Sequence, residues 1–160
     1  MKQQKTVDIE KQNYMMTLKL SRVASIVMSI VISVALAVLW VASIQEKKIG
    51  FAVHFTVLLA PFAVSMLYLT KICKMLKDGD TPFRLAIAKY INHISLFLMG
   101  GGFIGYLITP LSVLEVDLGG LTFGFFIGYS AYCWIGTTLT LIAYAFKYGC
   151  KLQQESDETI

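Results

Sequence analysis

Four long stretches of this sequence contain no aspartate, glutamate, lysine or arginine: residues 23–44, 49–70, 90–111 and 121–146. Charged residues make up 15% of the 160 positions, against about 25% in an average soluble domain. The shortage excludes an ordinary soluble domain. A helix over residues 23–44 reaches about 33 Å, enough to cross a hydrocarbon core of about 30 Å. The same absence bears on function. Carriers coupled to protons or ions place ionisable groups at mid-membrane, where the ion must bind and leave. Lacking them, the chain is a poor proton-coupled transporter. A carrier using backbone carbonyls at broken helices stays open, with Pro61 and the run Gly100, Gly101 and Gly102 as the places where a helix would break.

Cysteine and histidine are also scarce. Cys73, Cys133 and Cys150 include no CxxC pair, which excludes a disulfide framework and a zinc site. His54 and His93 are the only histidines. They are expected on opposite sides of the bilayer and so cannot share a metal. No GxSxG, HExxH, phosphate-binding loop or dinucleotide fingerprint is present, nor a pair of acids on one helix face for general acid–base work. The sequence therefore reads as a non-enzyme without a cofactor.

What is present is a skewed distribution of positive charge. Of the 14 lysines and arginines, five lie in the N-terminal segment 1–22 and five in the loop 71–89. Two more lie in the tail 147–160, leaving only Lys47 and Lys48 for the first loop and none for residues 112–120. Twelve against two places both termini and the second loop on the cytoplasmic side. The net charge of +4 thus serves topology, and nucleic acid is not an expected partner. Residues 35–37 have the small-x-small form of a cleavage site, but they lie inside a run longer than a signal peptide's apolar core of about 7–15 residues. The first run is therefore expected to remain as a span. The expected fold is all-α: a bundle of four spanning helices in up-down order forming one domain, with short loops.

Small residues let helices approach closely in lipid. Ser25, Ser29, Ser33 and Ala37 recur at intervals of four in the first span. Gly101 and Gly105 do so in the third, and Gly124 and Gly128 in the fourth, with Gly136 and Thr140 two and three repeats further along that stripe. These stripes are expected to meet inside one bundle, or one of them to form a homodimer. Tyr129, Tyr132 and Trp134 fall mid-span and should find partners within the bundle. His54 is the only histidine well inside a span. It is a candidate polar switch, with a hydroxyl of the first helix's serine ladder as its expected partner.

The second helix is expected to run on to about Lys77, with Gly79 as its left-handed cap. Thr81 and Pro82 then begin the next helix. Residues 83–89 read as a short amphipathic lead-in on the inner leaflet, and Gly149 as the end of the fourth helix. Two segments carry a resemblance. One is the turn Gly79, Pro82 and Phe83; the other is the ending, Gly149 with Leu152, Asp157 and Thr159. In these the chain resembles the YoaS-like family of small bacterial four-helix membrane proteins. The resemblance implies a bacterial inner-membrane protein, often encoded beside a small helix-turn-helix regulator, and implies no activity.

The functional expectation is a structural or regulatory membrane protein. It would act through contacts with lipid or with a membrane or cytoplasmic protein, for instance in immunity or envelope stress. The alternative is a minor transporter or channel component with a path between the third and fourth helices.

Overall fold

The computed structural model describes residues 2–77, 84–113 and 119–158. They form four helices: α1 (Lys2–Gln45), α2 (Ile49–Lys77), α3 (Leu85–Val113) and α4 (Gly119–Glu158). All four are long and apolar enough to cross a membrane. The charge-free runs favour helix because lipid offers a backbone N–H or C=O no alternative partner. Gly79, Pro82, Phe83 and Thr159 lie outside the described residues, and Asp157 is placed only as a helical position.

The helices outrun the apolar segments that nucleate them. The 44 residues of α1 span about 66 Å, twice the hydrocarbon thickness. No glycine or proline interrupts it, and residues 2–22 are rich in lysine, glutamine, methionine and leucine, all good helix formers. Gly149 does not end the fourth helix, contrary to expectation. Lys151, Leu152, Gln153, Gln154 and Glu155 follow it. Lys151 Nζ stands 3.5 Å from Glu155 Oε1, and Gln154 Nε2 donates to Glu158 Oε1 at 3.1 Å. Each such pair one turn apart contributes a few tenths of a kcal/mol, which together with strong local propensity offsets the roughly 1 kcal/mol that glycine costs. The expected surface lead-in is likewise the first turn of α3. The Arg84 carbonyl accepts from the Ile87 and Ala88 amides, and both Ile87 and Ala88 are buried.

The α1–α2 hairpin closes over three residues. Lys48 N donates to Ser43 O at 2.9 Å and Lys47 N to Ile44 O at 3.3 Å, with Lys47 at φ 57°. This is the left-handed helix end that usually carries glycine. Beyond the turn the two helices run antiparallel. Trp40 Nε1 donates to Thr56 Oγ1 at 2.8 Å and Ser29 Oγ to Ala63 O at 2.9 Å. Among the described residues helix α1 packs on α2 alone; α2 packs on α3, α3 on α4, and α4 returns to touch α2. The small-residue stripes therefore do not all meet in one seam. Helix α1 flanks a core of α2, α3 and α4, and its Ile30, Val31, Val34, Val38 and Val41 stay exposed, as lipid-facing residues would be.

The α3–α4 seam follows a period of seven. Ala88, Ser95, Gly102 and Thr109 are buried along α3, and Tyr129, Gly136, Ala143 and Cys150 along α4. Small residues dominate both rows, so the backbones lie close. A Cβ added at Gly102 would stand 2.8 Å from Cys133 Sγ, and one at Gly136 2.4 Å from Met99 Cγ. Seven residues per two turns is the geometry of left-handed helix pairs. This corrects the stripes read at intervals of four in the first and fourth spans, whereas Gly101 and Gly105 in the third are both buried at helix contacts. A step of four residues overshoots a full turn by about 40°, so a four-spaced row drifts off the seam. Ser25 and Ser29 are buried, whereas Ser33 and Ala37 have rotated to the exposed face. Gly124 is exposed for the same reason and has nothing near its Cβ position.

Candidate functional site

Proline and glycine set the geometry at the centre of the core. Pro61 lacks an N–H, so the Val57 carbonyl one turn earlier loses its helical partner. The Pro61 ring fills the notch at Gly101: a Cβ there would stand 2.3 Å from Pro61 Cγ and 3.5 Å from Val57 O. Only glycine on α3 lets this part of α2 come so near. Ser65 Oγ donates to Pro61 O at 2.7 Å, one turn further on.

Between that notch and the α1–α2 turn lies a buried polar cluster. His54 and Tyr129 are 1% and 0% exposed. His54 Nδ1 and Tyr129 Oη are 3.0 Å apart, and the same hydroxyl donates to the His54 carbonyl at 3.3 Å. One tautomer satisfies both contacts: Nδ1–H donates to the phenol oxygen while the phenol O–H donates to the carbonyl. The Tyr129 ring lies in the notch at Gly105, where a Cβ would stand 2.3 Å from it. Phe125 stacks on His54, with ring centres 5.0 Å apart, and meets Phe55 edge-on at 5.2 Å. One turn further along α4, Tyr132 Oη donates to Leu58 O at 2.5 Å, and Gly128 faces Leu58 Cδ1. Two tyrosines thus tie α4 to α2.

The serine ladder does not supply the partner of His54. Helix α1 lies on the other flank of α2, where Thr56 meets Trp40. His54, two residues earlier, points away from that flank, because positions two apart on a helix do not share a face. Trp134 also departs from expectation: it is 75% exposed and so lies on the surface of the bundle.

A second polar cluster lies along the seam toward the end carrying the termini. Ser95 Oγ donates to Gly136 O at 2.8 Å and bonds the Thr140 hydroxyl. Further along, Tyr68 packs against Tyr90, His93 and Phe97, with ring centres 5.4–5.9 Å apart. Lys71 Nζ lies 5.3 Å from the Tyr68 ring centre and 5.8 Å from that of Tyr90, near enough for a cation–π attraction. Sequence reasoning missed this group. The only signal was an interfacial lysine three residues from a tyrosine.

These clusters offer hydrogen bonds and packing but little chemistry. Among the described residues no three of His, Cys, Asp or Glu gather to hold a metal, and the cysteines are free. His54 and Tyr129 are sealed from solvent. Comparison with protein-family models, curated proteins and solved structures finds no match.

Proposed function

We propose that the protein is a multi-pass component of the cell membrane with both termini cytoplasmic. It works by contact with lipid and with a protein partner, in a structural or regulatory role, and not by catalysis. The observation that carries this reading is the closely packed α3–α4 seam. Tyr129, Cys133 and Met99 occupy the space in front of Gly105, Gly102 and Gly136, at distances of 2.3–2.8 Å from where a side chain would begin. A path between these helices would need a gap at those levels. The twelve-to-two distribution of basic residues supports the orientation, and the YoaS-like resemblance of turn and tail supports a bacterial inner membrane.

In this reading the helical extensions of α1 and α4 project beyond the bilayer on the cytoplasmic side and present the docking surfaces. The test is co-purification of the tagged chain from native membranes in mild detergent, with and without residues 152–160. A protein that co-purifies with the full chain and is lost on truncation supports the reading. Absence of any partner, together with solute flux through liposomes containing the pure protein, contradicts it.

A further inference from the structure

The end of the bundle that carries the termini holds a groove between the first turns of α3 and the last turns of α4. Two adjoining hollows compose it, one of about 260 Å³ and one of about 660 Å³, sharing Leu85, Tyr144 and Lys147. Arg84, Lys89, Lys147 and Lys151 line the two hollows, and among the described residues no acidic side chain does. Lys151 pairs with Glu155. Neither Lys89 nor Lys147 has a carboxylate within ion-pair distance among the described residues.

Position along the helices narrows what fits. Lys89 immediately precedes the charge-free run 90–111 and Lys147 immediately follows the run 121–146, so both ammonium groups stand at headgroup depth. Arg84 and Lys151 lie about 6–8 Å further out along their helices. Asn92 lies about 4.5 Å further in than Lys89, at the level of a glycerol ester. Leu85, Ala88 and Ala143 provide an apolar wall, and Tyr144 stands exposed beside it, as interfacial tyrosines do. Cations at the surface, an amide one turn deeper and Ala143 about 6 Å further in than Lys147 match the successive layers of a phospholipid. A soluble anion would make no use of the apolar wall.

The geometry points to a binding site for one anionic phospholipid in this groove, its phosphate between Lys89 and Lys147. The inference rests on the reading that this end of the bundle lies at a membrane surface. It concerns the isolated protein, so finding or losing a protein partner does not affect its test.

The experiment is native mass spectrometry of the full chain in mild detergent, titrated with phosphatidylglycerol, phosphatidylcholine or inorganic phosphate. Phosphatidylglycerol is expected to bind one to one and phosphatidylcholine at least tenfold more weakly, with millimolar phosphate failing to displace the lipid. Each lysine at a membrane surface contributes about fivefold to anionic-lipid binding, so Lys89→Gln with Lys147→Gln should weaken it about 25-fold. Lys89→Arg with Lys147→Arg should retain binding, which guards against misfolding as the cause. Lys74→Gln with Lys77→Gln, on α2 and outside the groove, should change it less than about twofold. An equal loss in that control pair overturns the site in favour of diffuse attraction to the inner leaflet. Displacement by phosphate overturns it in favour of a soluble anion, and equal binding of phosphatidylcholine overturns the role of charge.

Discussion

The phenol ring of Tyr129 occupies the space that a side chain at Gly105 would need: a Cβ at that glycine would stand 2.3 Å from the ring. Ring and notch bring α3 and α4 together at the level where Tyr129 also holds His54 of α2. Gly105→Ala is therefore expected to destabilise the bundle by about 1–3 kcal/mol, the usual cost of overpacking a filled interior. Gly100 has nothing near its Cβ position, and Gly100→Ala should be neutral or stabilise by up to about 1 kcal/mol. Thermal unfolding of both variants in detergent checks this pair, and equal effects would sink the notch assignment.

The bond between His54 and Tyr129 is expected to act as one coupled unit. Tyr129→Phe keeps the ring in its notch and removes the hydroxyl that meets His54 Nδ1. A double-mutant cycle with His54→Ala should give a coupling of roughly 0.6–1.7 kcal/mol, the range for polar contacts between spanning helices. Strictly additive losses would mean that the two side chains do not interact.

Ser29 and Ser33 separate the seven-residue seam from a four-residue one. Ser29 Oγ donates across to Ala63 O, while Ser33 Oγ donates to Ser29 O within its own helix. Ser29→Leu should lower folded yield by prising α1 from α2. Ser33→Leu should leave yield unchanged, since that position is exposed. The reverse order of effects would place the α1–α2 contact on the wrong face.

Lys47 holds a left-handed backbone conformation, φ 57°, that costs a side-chain-bearing residue roughly 1–2 kcal/mol. Part of that gain returns as glycine's larger unfolded-state entropy. Lys47→Gly should therefore raise stability by about 0.5–1 kcal/mol without altering the hairpin. Destabilisation in a denaturation experiment would show that the turn is formed otherwise.

Much of the architecture was legible because one physical rule dominates it. Charge cannot lie cheaply in hydrocarbon, so the four charge-free runs marked four helices and their order. Helix ends were less legible. Gly149 has the chemistry of a helix stop, yet the residues after it favour helix strongly enough to continue. The phase of the packing faces was misread at Ser33, Ala37 and Gly124 because a spacing of four looks regular in sequence while its direction drifts in space. The period of seven through Ala88, Ser95, Gly102 and Thr109 was present, but its mixture of small residues hid it behind the more visible glycines. The partner of His54 could not be read at all. It depends on which flank of α2 each neighbour takes, and nothing local to His54 records that.

Contact and conduction differ in whether the α3–α4 seam is shut at the centre of the span, and Cys133 reports on it directly. Its Sγ faces Gly102 across the seam, and the thiol is free. With Cys73→Ser and Cys150→Ser removing the other thiols, the protein in native membranes should resist a charged, water-soluble thiol reagent applied from either side. A small lipid-soluble reagent should still react slowly, showing that the thiol is intact. Ready modification by the charged reagent in the folded protein would reveal a water-filled path between α3 and α4, contradicting the contact reading and favouring a conduit.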